Sequence, residues 1–126
     1  MTNLRIEATS KTPQIDFNSN SGELDISGIS VPENAVEFYM PIVEWLINYA
    51  TSPHNKTVLS LKLTYLNTSS LQFLYDALKE LDEIGEPDSV IMNWYFAEDD
   101  DDMKETGEDF KEVTRSPFNF VEVDEM

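Results

Sequence analysis

Apolar and polar positions alternate along two short stretches near the start of the chain, with Ile15 and Phe17 inside Gln14 to Phe17 and Leu24 and Ile26 inside Glu23 to Ser27. A period of two marks a half-buried strand. The turn residues Asn18-Ser19-Asn20-Ser21-Gly22 between them predict an opening β-hairpin. After Pro32 the period changes. From Asn34 to Ala50, Val36, Tyr39, Val43, Leu46, Ile47 and Ala50 fall on one helical stripe, with Glu33, Glu37, Glu44 and Asn48 off it. Pro41 interrupts that stripe. It lacks an N–H and crowds the preceding turn, so a kink, or a helix that begins at Pro41, is expected. Phe38, Trp45 and Tyr49 lie at helical spacing beside the stripe. Two readings are open for them: additional core, or an exposed aromatic patch for a partner helix.

Thr51-Ser52-Pro53-His54-Asn55-Lys56 breaks the helix. Thr57 to Tyr65 then carries Val58, Leu59, Leu61, Leu63 and Tyr65, apolar on one face and partly on the other, which suits a central strand. The next helix is expected from about Ser69 to Ile84 on Leu71, Leu74, Tyr75, Leu78 and Leu81, stopping at Gly85-Glu86-Pro87. Ser89 to Phe96 reads as a second buried strand. Asp99 to about Glu112 reads as a weakly amphipathic helix through Met103, Phe110 and Val113, and Phe118 to Val123 as a last short strand. Helices of this length between strands favour right-handed crossovers and parallel neighbours. The chain, residues 1–126, therefore reads as a single α/β domain: a mixed central sheet of about five strands with helices packed against it, opened by a hairpin.

Composition narrows the function. The 126 residues are 40% hydrophobic and include seven Phe, five Tyr and two Trp, enough for a packed core. Twenty-five acidic residues against eight basic give a formal net charge of −17, which repels nucleic acid and anionic lipid surfaces alike. Twelve of the acids fall between Glu98 and Met126 against Lys104, Lys111 and Arg115. That segment is either a solvated face or a field that steers a basic partner. The lack of Cys removes disulfides, thiolate nucleophiles and Cys-ligated metals. No basic segment leads into an apolar stretch at the start, and no eighteen apolar residues run together, so a cytoplasmic protein without a membrane partner is expected. His54, the sole histidine, lies in a polar loop without an obvious nucleophile. Glu98-Asp99-Asp100-Asp101-Asp102 resembles a calcium loop only in charge, because Met103 interrupts the ligand alternation and Gly107 is at the wrong offset. Neither a cofactor nor a metal is expected.

The segment Leu66-Asn67-Thr68-Ser69-Ser70 joins a central strand to an amphipathic helix, at the end of a strand where sites in α/β sheets form. With Ser69 as N-cap, Gln72 completes a capping box and Thr68 stands just outside the helix with its hydroxyl free. Asn, Thr and Ser are what any helix start recruits, so capping alone is one reading. The other is a modification site, because a phosphate here meets unpaired N–H groups and the positive end of the helix dipole.

The run Leu63-Thr64-Tyr65-Leu66-Asn67-Thr68-Ser69-Ser70 resembles the SiaC family of bacterial regulatory phosphoproteins. So do Val31-Pro32-Glu33-Asn34, Trp94-Tyr95, Gly107-Glu108-Asp109-Phe110 and Ser116-Pro117-Phe118-Asn119-Phe120. The resemblance implies a fold similar to the STAS domains of anti-sigma-factor antagonists and a partner-switching role without enzymatic activity. It implies phosphorylation of Thr68, with Ser69 as second choice, by a cognate serine/threonine kinase, and its reversal by a metal-dependent serine/threonine phosphatase. By the same resemblance, the unphosphorylated form binds and activates an effector, a diguanylate cyclase, and so promotes cyclic-di-GMP signalling and biofilm formation. The wider STAS group carries Asp-Ser-Ser/Thr-Gly-Leu at this turn, whereas Asn67 and Ser70 stand here in place of the acid and the glycine. Two rival classes are a small metal-dependent enzyme using His54 with Asp99 to Asp102, and an acidic decoy that occupies a basic surface.

Overall fold

The computed structural model describes residues 1–86 and 88–126. Along the chain it runs β1 (Leu4–Ile6), β2 (Gln14–Asn18), β3 (Glu23–Ser30), α1 (Ala35–Thr51), β4 (Thr57–Leu66), α2 (Thr68–Asp82), β5 (Val90–Ala97), α3 (Asp101–Glu112) and β6 (Phe118–Val123). The six strands form one mixed sheet in chain order: β1, β2 and β3 are antiparallel, and β3, β4, β5 and β6 are parallel. The predicted hairpin is β2–β3, with Ile15 opposite Ile26 and Phe17 opposite Leu24.

The register explains why the sheet is covered on one face. Ile15, Ile26, Leu61 and Trp94 follow one another across adjacent strands, as do Phe17, Leu24, Leu59, Met92 and Phe118. All of these are buried, in one cluster with the inward residues of the three helices. The intervening positions, among them Asp16, Asp25, Ser60, Lys62 and Asn93, form the opposite face. There Lys62 lies 3.6 Å from Asp25 and over the Tyr95 ring.

The mixed sheet is the expected one, with six strands where about five were expected; β1 is not announced by a three-residue alternation, and Leu4 and Ile6 become strand residues by pairing with Phe17 and Ile15. Three expectations need correction. Helix α1 starts at Ala35, capped by Asn34, and runs through Pro41 without a break. Pro41 is on the exposed side, where the carbonyl it leaves without an N–H donor can bond to water. The buried stripe of α1 is Tyr39, Ile42, Leu46 and Tyr49, rotated from the expected one, while Val36 and Ile47 are exposed. Apolar side chains surround most of this helix, so periodicity alone does not choose the face; the aromatic residues that reach the sheet do. Helix α2 starts at Thr68 and ends at Asp82. The expected stop residue Pro87 lies outside the described residues.

Two details shape the functional end of the sheet. Between Gly28 and Ile29 the β3–β4 register shifts, so that Gly28 pairs with Leu63 and Ile29 with Tyr65. Gly28 takes φ +117°, open to glycine and strained for other residues. The extra residue, Thr64, reverses the alternation, and Tyr65 points outward at 59% exposure instead of following Leu63 into the core. At the far end of α2, Asp82 accepts from the backbone N–H groups of Arg115 and Ser116 and from the Ser116 hydroxyl. Burial raises its carboxyl, but these bonds and the Arg115 charge outweigh burial and hold it below the ordinary aspartate value.

Candidate functional site

Three parallel strands deliver their carboxyl ends, and the helices that follow them, to one end of the molecule. The turn after β4 lies there. Asn67, not Ser69, is the N-cap of α2: its backbone is extended and its side-chain Oδ1 accepts from Ser70 N–H at 3.0 Å. The reason is the length of β4, which pairs through Leu66 with Ser30, while the Asn67 N–H donates to the Ser30 carbonyl at 3.0 Å. The helix therefore begins at once. Gln72 does not complete a capping box and reaches Asp76 instead. Thr68 is the first helical residue rather than the residue before the helix.

The three hydroxyls of the turn have different fates. Ser70 is fully buried, 2.8 Å from Ser30 Oγ, 3.0 Å from the Ser30 carbonyl and 2.7 Å from Asn67 Oδ1. Ser30 Oγ in turn lies 2.5 Å from the Tyr39 hydroxyl. Burial pushes the Tyr39 phenol above its ordinary range, against the lowering effect of Ser30 and Ser70, so it stays protonated. Either hydroxyl can donate in the Tyr39–Ser30 and Ser30–Ser70 pairs, while the Ser30 carbonyl and Asn67 Oδ1 can only accept from Ser70. This relay ties α1 and β3 to the turn. Ser69 is exposed, its hydroxyl 3.2 Å from Asn67 Oδ1. Thr68 is exposed and its hydroxyl makes no hydrogen bond among the described residues.

Replacing Ser70 with Ala is expected to cost about 1–3 kcal/mol in urea unfolding, because the buried Ser30 hydroxyl loses a partner. The same change at Thr68, whose side chain is exposed and has no hydrogen-bond partner among the described residues, should fall within about 0.5 kcal/mol of the parent.

Thr68 stands at the rim of a groove of about 450 Å³ between α2 and α3, lined mainly by apolar surface from Leu71, Tyr75, Phe110 and Val113 with Asp109 beside them. A hydroxyl, the start of a helix and an apolar trough thus meet in one place. Phe38, Trp45 and Tyr49 do not form an open patch. Tyr49 is buried and bonded through its hydroxyl to Thr57 at 2.7 Å. Trp45 stacks on Tyr49, meets Phe17 and donates its Nε1–H to the Thr2 carbonyl at 2.8 Å. Phe38, half-buried, packs against the core beside Tyr39. Their aromatic surface serves the fold.

His54 precedes β4, whereas Asp99 to Asp102 follow β5. Since β4 and β5 are parallel, the two groups lie at opposite ends of the sheet. Asp100 caps α3 by accepting from Met103 N–H at 3.0 Å, and Asp101 and Asp102 fill the first turn, where acids favour the helix dipole. Among the described residues no three His, Cys, Asp or Glu side chains are grouped to hold a metal ion. No described helix is long and apolar enough to cross a membrane.

The profile of the SiaC family of regulatory phosphoproteins matches residues 6–123. An uncharacterized protein of Pseudomonas aeruginosa strain UCBPP-PA14 is 32% identical over 128 residues, which cover 99% of this chain and all of that protein. SiaC of Pseudomonas aeruginosa superposes with a TM-score of 0.88 at 30% identity, covering 98% of this chain and all of that one. A chain from the crystal structure of the diguanylate cyclase SiaD in complex with its activator SiaC, from the same organism, also gives 0.88 at 30% identity, over 95% of this chain and 99% of that one. With a match that spans nearly its full length in sequence and in structure, the chain belongs to the SiaC family of regulatory phosphoproteins.

Proposed function

We propose that this protein is a phosphorylation-controlled binding module in which Thr68 is the phosphoacceptor. A cognate serine/threonine kinase adds the phosphate and a metal-dependent serine/threonine phosphatase removes it. In the unphosphorylated state the protein binds and activates an effector, a diguanylate cyclase, and so raises cyclic-di-GMP; the protein itself catalyses nothing. The observation that carries this reading is the contrast at the turn: Ser70 is sealed in a buried relay, while Thr68, at the first position of α2, is exposed and its hydroxyl makes no hydrogen bond among the described residues. An attacking hydroxyl must be reachable by the kinase, and the exposed Thr68 meets that condition.

The effector assignment draws support from the relative whose complex with SiaD describes SiaC as the cyclase's activator. The enzyme alternative loses ground because its two groups are at opposite ends of the sheet. The decoy alternative needs no turn of this kind at all.

Incubation with the cognate kinase and labelled ATP tests the reading. Thr68→Ala is expected to stay folded and to lose labelling almost entirely, while Ser69→Ala keeps it. Labelling that survives in Thr68→Ala and disappears in Ser69→Ala would move the switch by one residue; survival in both would remove it from this turn.

A further inference from the structure

We propose that the outer face of α1 is a docking surface for an amphipathic helix whose apolar stripe is flanked by lysine or arginine. Val36, Met40, Val43 and Ile47 follow one another at spacings of four, three and four, which places them in a single row on a helix. Val36 is 58% exposed, Met40 44% and Ile47 46%, with Val43 half-buried between them. Scattered surface hydrophobics are ordinary. A seam that extends from Val36 to Ile47, about 16 Å of helix, is not.

The seam is not needed to seat α1. Tyr39, Ile42, Leu46 and Tyr49 already bury the inner side of the helix, and Phe38 and Trp45 pack against the core beside them. Helix α1 is thus apolar beyond the side that meets the core, and although α2 packs alongside it, Val36, Met40 and Ile47 stay exposed.

Charge selects the occupant. Helix α1 carries no Lys or Arg, and Glu37 and Glu44, seven residues apart, run beside the seam. Helix α2, which packs alongside, adds Asp76 and Glu80 against Lys79, with Glu83 at its C-cap. A second copy of this chain would bring two molecules of net charge −17 together, and an anionic lipid surface is repelled. A helix with basic flanks finds opposite charge on the rim of an apolar row, the arrangement that selects partners in helix pairs.

The seam also begins at the switch end of the molecule, since Tyr39, adjacent to Met40, is joined through Ser30 to Ser70. The inference nevertheless stands without Thr68 being the phosphoacceptor.

Calorimetric titration of the full chain with two synthetic helical peptides of about 18 residues tests it. Both carry Leu at heptad positions a and d; one has Lys at e and g, the other Glu. The Lys peptide is expected to bind, more tightly at low salt, and the Glu peptide not to bind. The double variant Met40→Ser/Ile47→Ser, with its fold checked by circular dichroism, should weaken binding at least tenfold. Tyr75→Ser/Val113→Ser, on the groove between α2 and α3, should leave it unchanged. Equal binding by the seam variant, or loss in the groove variant instead, overturns the proposal. So does self-association of the free chain that the seam variant abolishes, which would make the occupant a second copy.

Discussion

Phosphorylation of Thr68 is expected to weaken binding of the effector roughly 30-fold to nearly a thousandfold, a shift of ~2 to 4 kcal/mol. The phosphate would add about −1.5 to −2 charges and three acceptor oxygens at the rim of the α2–α3 groove. That groove is apolar apart from a few polar groups that include the carboxylate of Asp109. A partner that fills the trough with apolar side chains would then have to bury a dianion or leave water around it, and burying an unpaired charge is among the most unfavourable events in recognition. The helix start partly accommodates the phosphate, through backbone N–H groups and the dipole, so the modified protein should remain folded. Its midpoint in urea should change by less than the Ser70→Ala variant changes it. Isothermal titration of purified cyclase with both forms reads the ratio directly. The effect should shrink only modestly at high salt, because burial rather than long-range repulsion dominates it.

The second large effect concerns Gly107. Replacing a glycine inside a helix with alanine ordinarily stabilises by about 0.5–1 kcal/mol. Here the sign should reverse. A Cβ at position 107 would stand 2.6 Å from the Trp94 ring and 2.8 Å from the Phe120 ring. Trp94 cannot step aside: it is 1% exposed, its Nε1–H donates to the Met103 carbonyl at 3.0 Å, and its ring meets Phe110 and Phe118. Overpacking of this kind costs about 1–3 kcal/mol, and Gly107→Ala should be destabilised by about that much in urea unfolding. Trp94→Ala, which empties the same site, should lose about 3–5 kcal/mol. Helix α3 touches the sheet mainly over β5 and β6, so a loosened α3 would also deform one wall of the groove beside Thr68.

These two sites show how much of the molecule can be read before its structure. Strands β2 to β6 and all three helices are legible because each carries its own hydrophobic period and its own turn residues. Strand β1 is not, since Leu4 and Ile6 acquire meaning only opposite Phe17 and Ile15. The inward face of α1 is illegible for the opposite reason: too many of its positions are apolar, and the choice falls to Tyr39 and Tyr49, whose hydroxyls find Ser30 and Thr57. At the turn, the residue types announce a helix start with a free hydroxyl, and Thr68 is exposed. The cap is displaced by two residues because β4 extends to Leu66 before it ends. Ser70 as part of a buried relay has no local signal. Its partners Ser30 and Tyr39 are distant in the sequence, and only the fold brings them together.

Everything regulatory rests on one alcohol being the atom that is modified. Intact-mass and site-mapping spectrometry of the protein recovered from its native host tests this most directly. A population heavier by a single phosphate is expected, with the fragment ions placing it on Thr68. Phosphate located on Ser69 or anywhere outside the turn, or a chain that is never phosphorylated in cells where kinase and effector are both active, would contradict it.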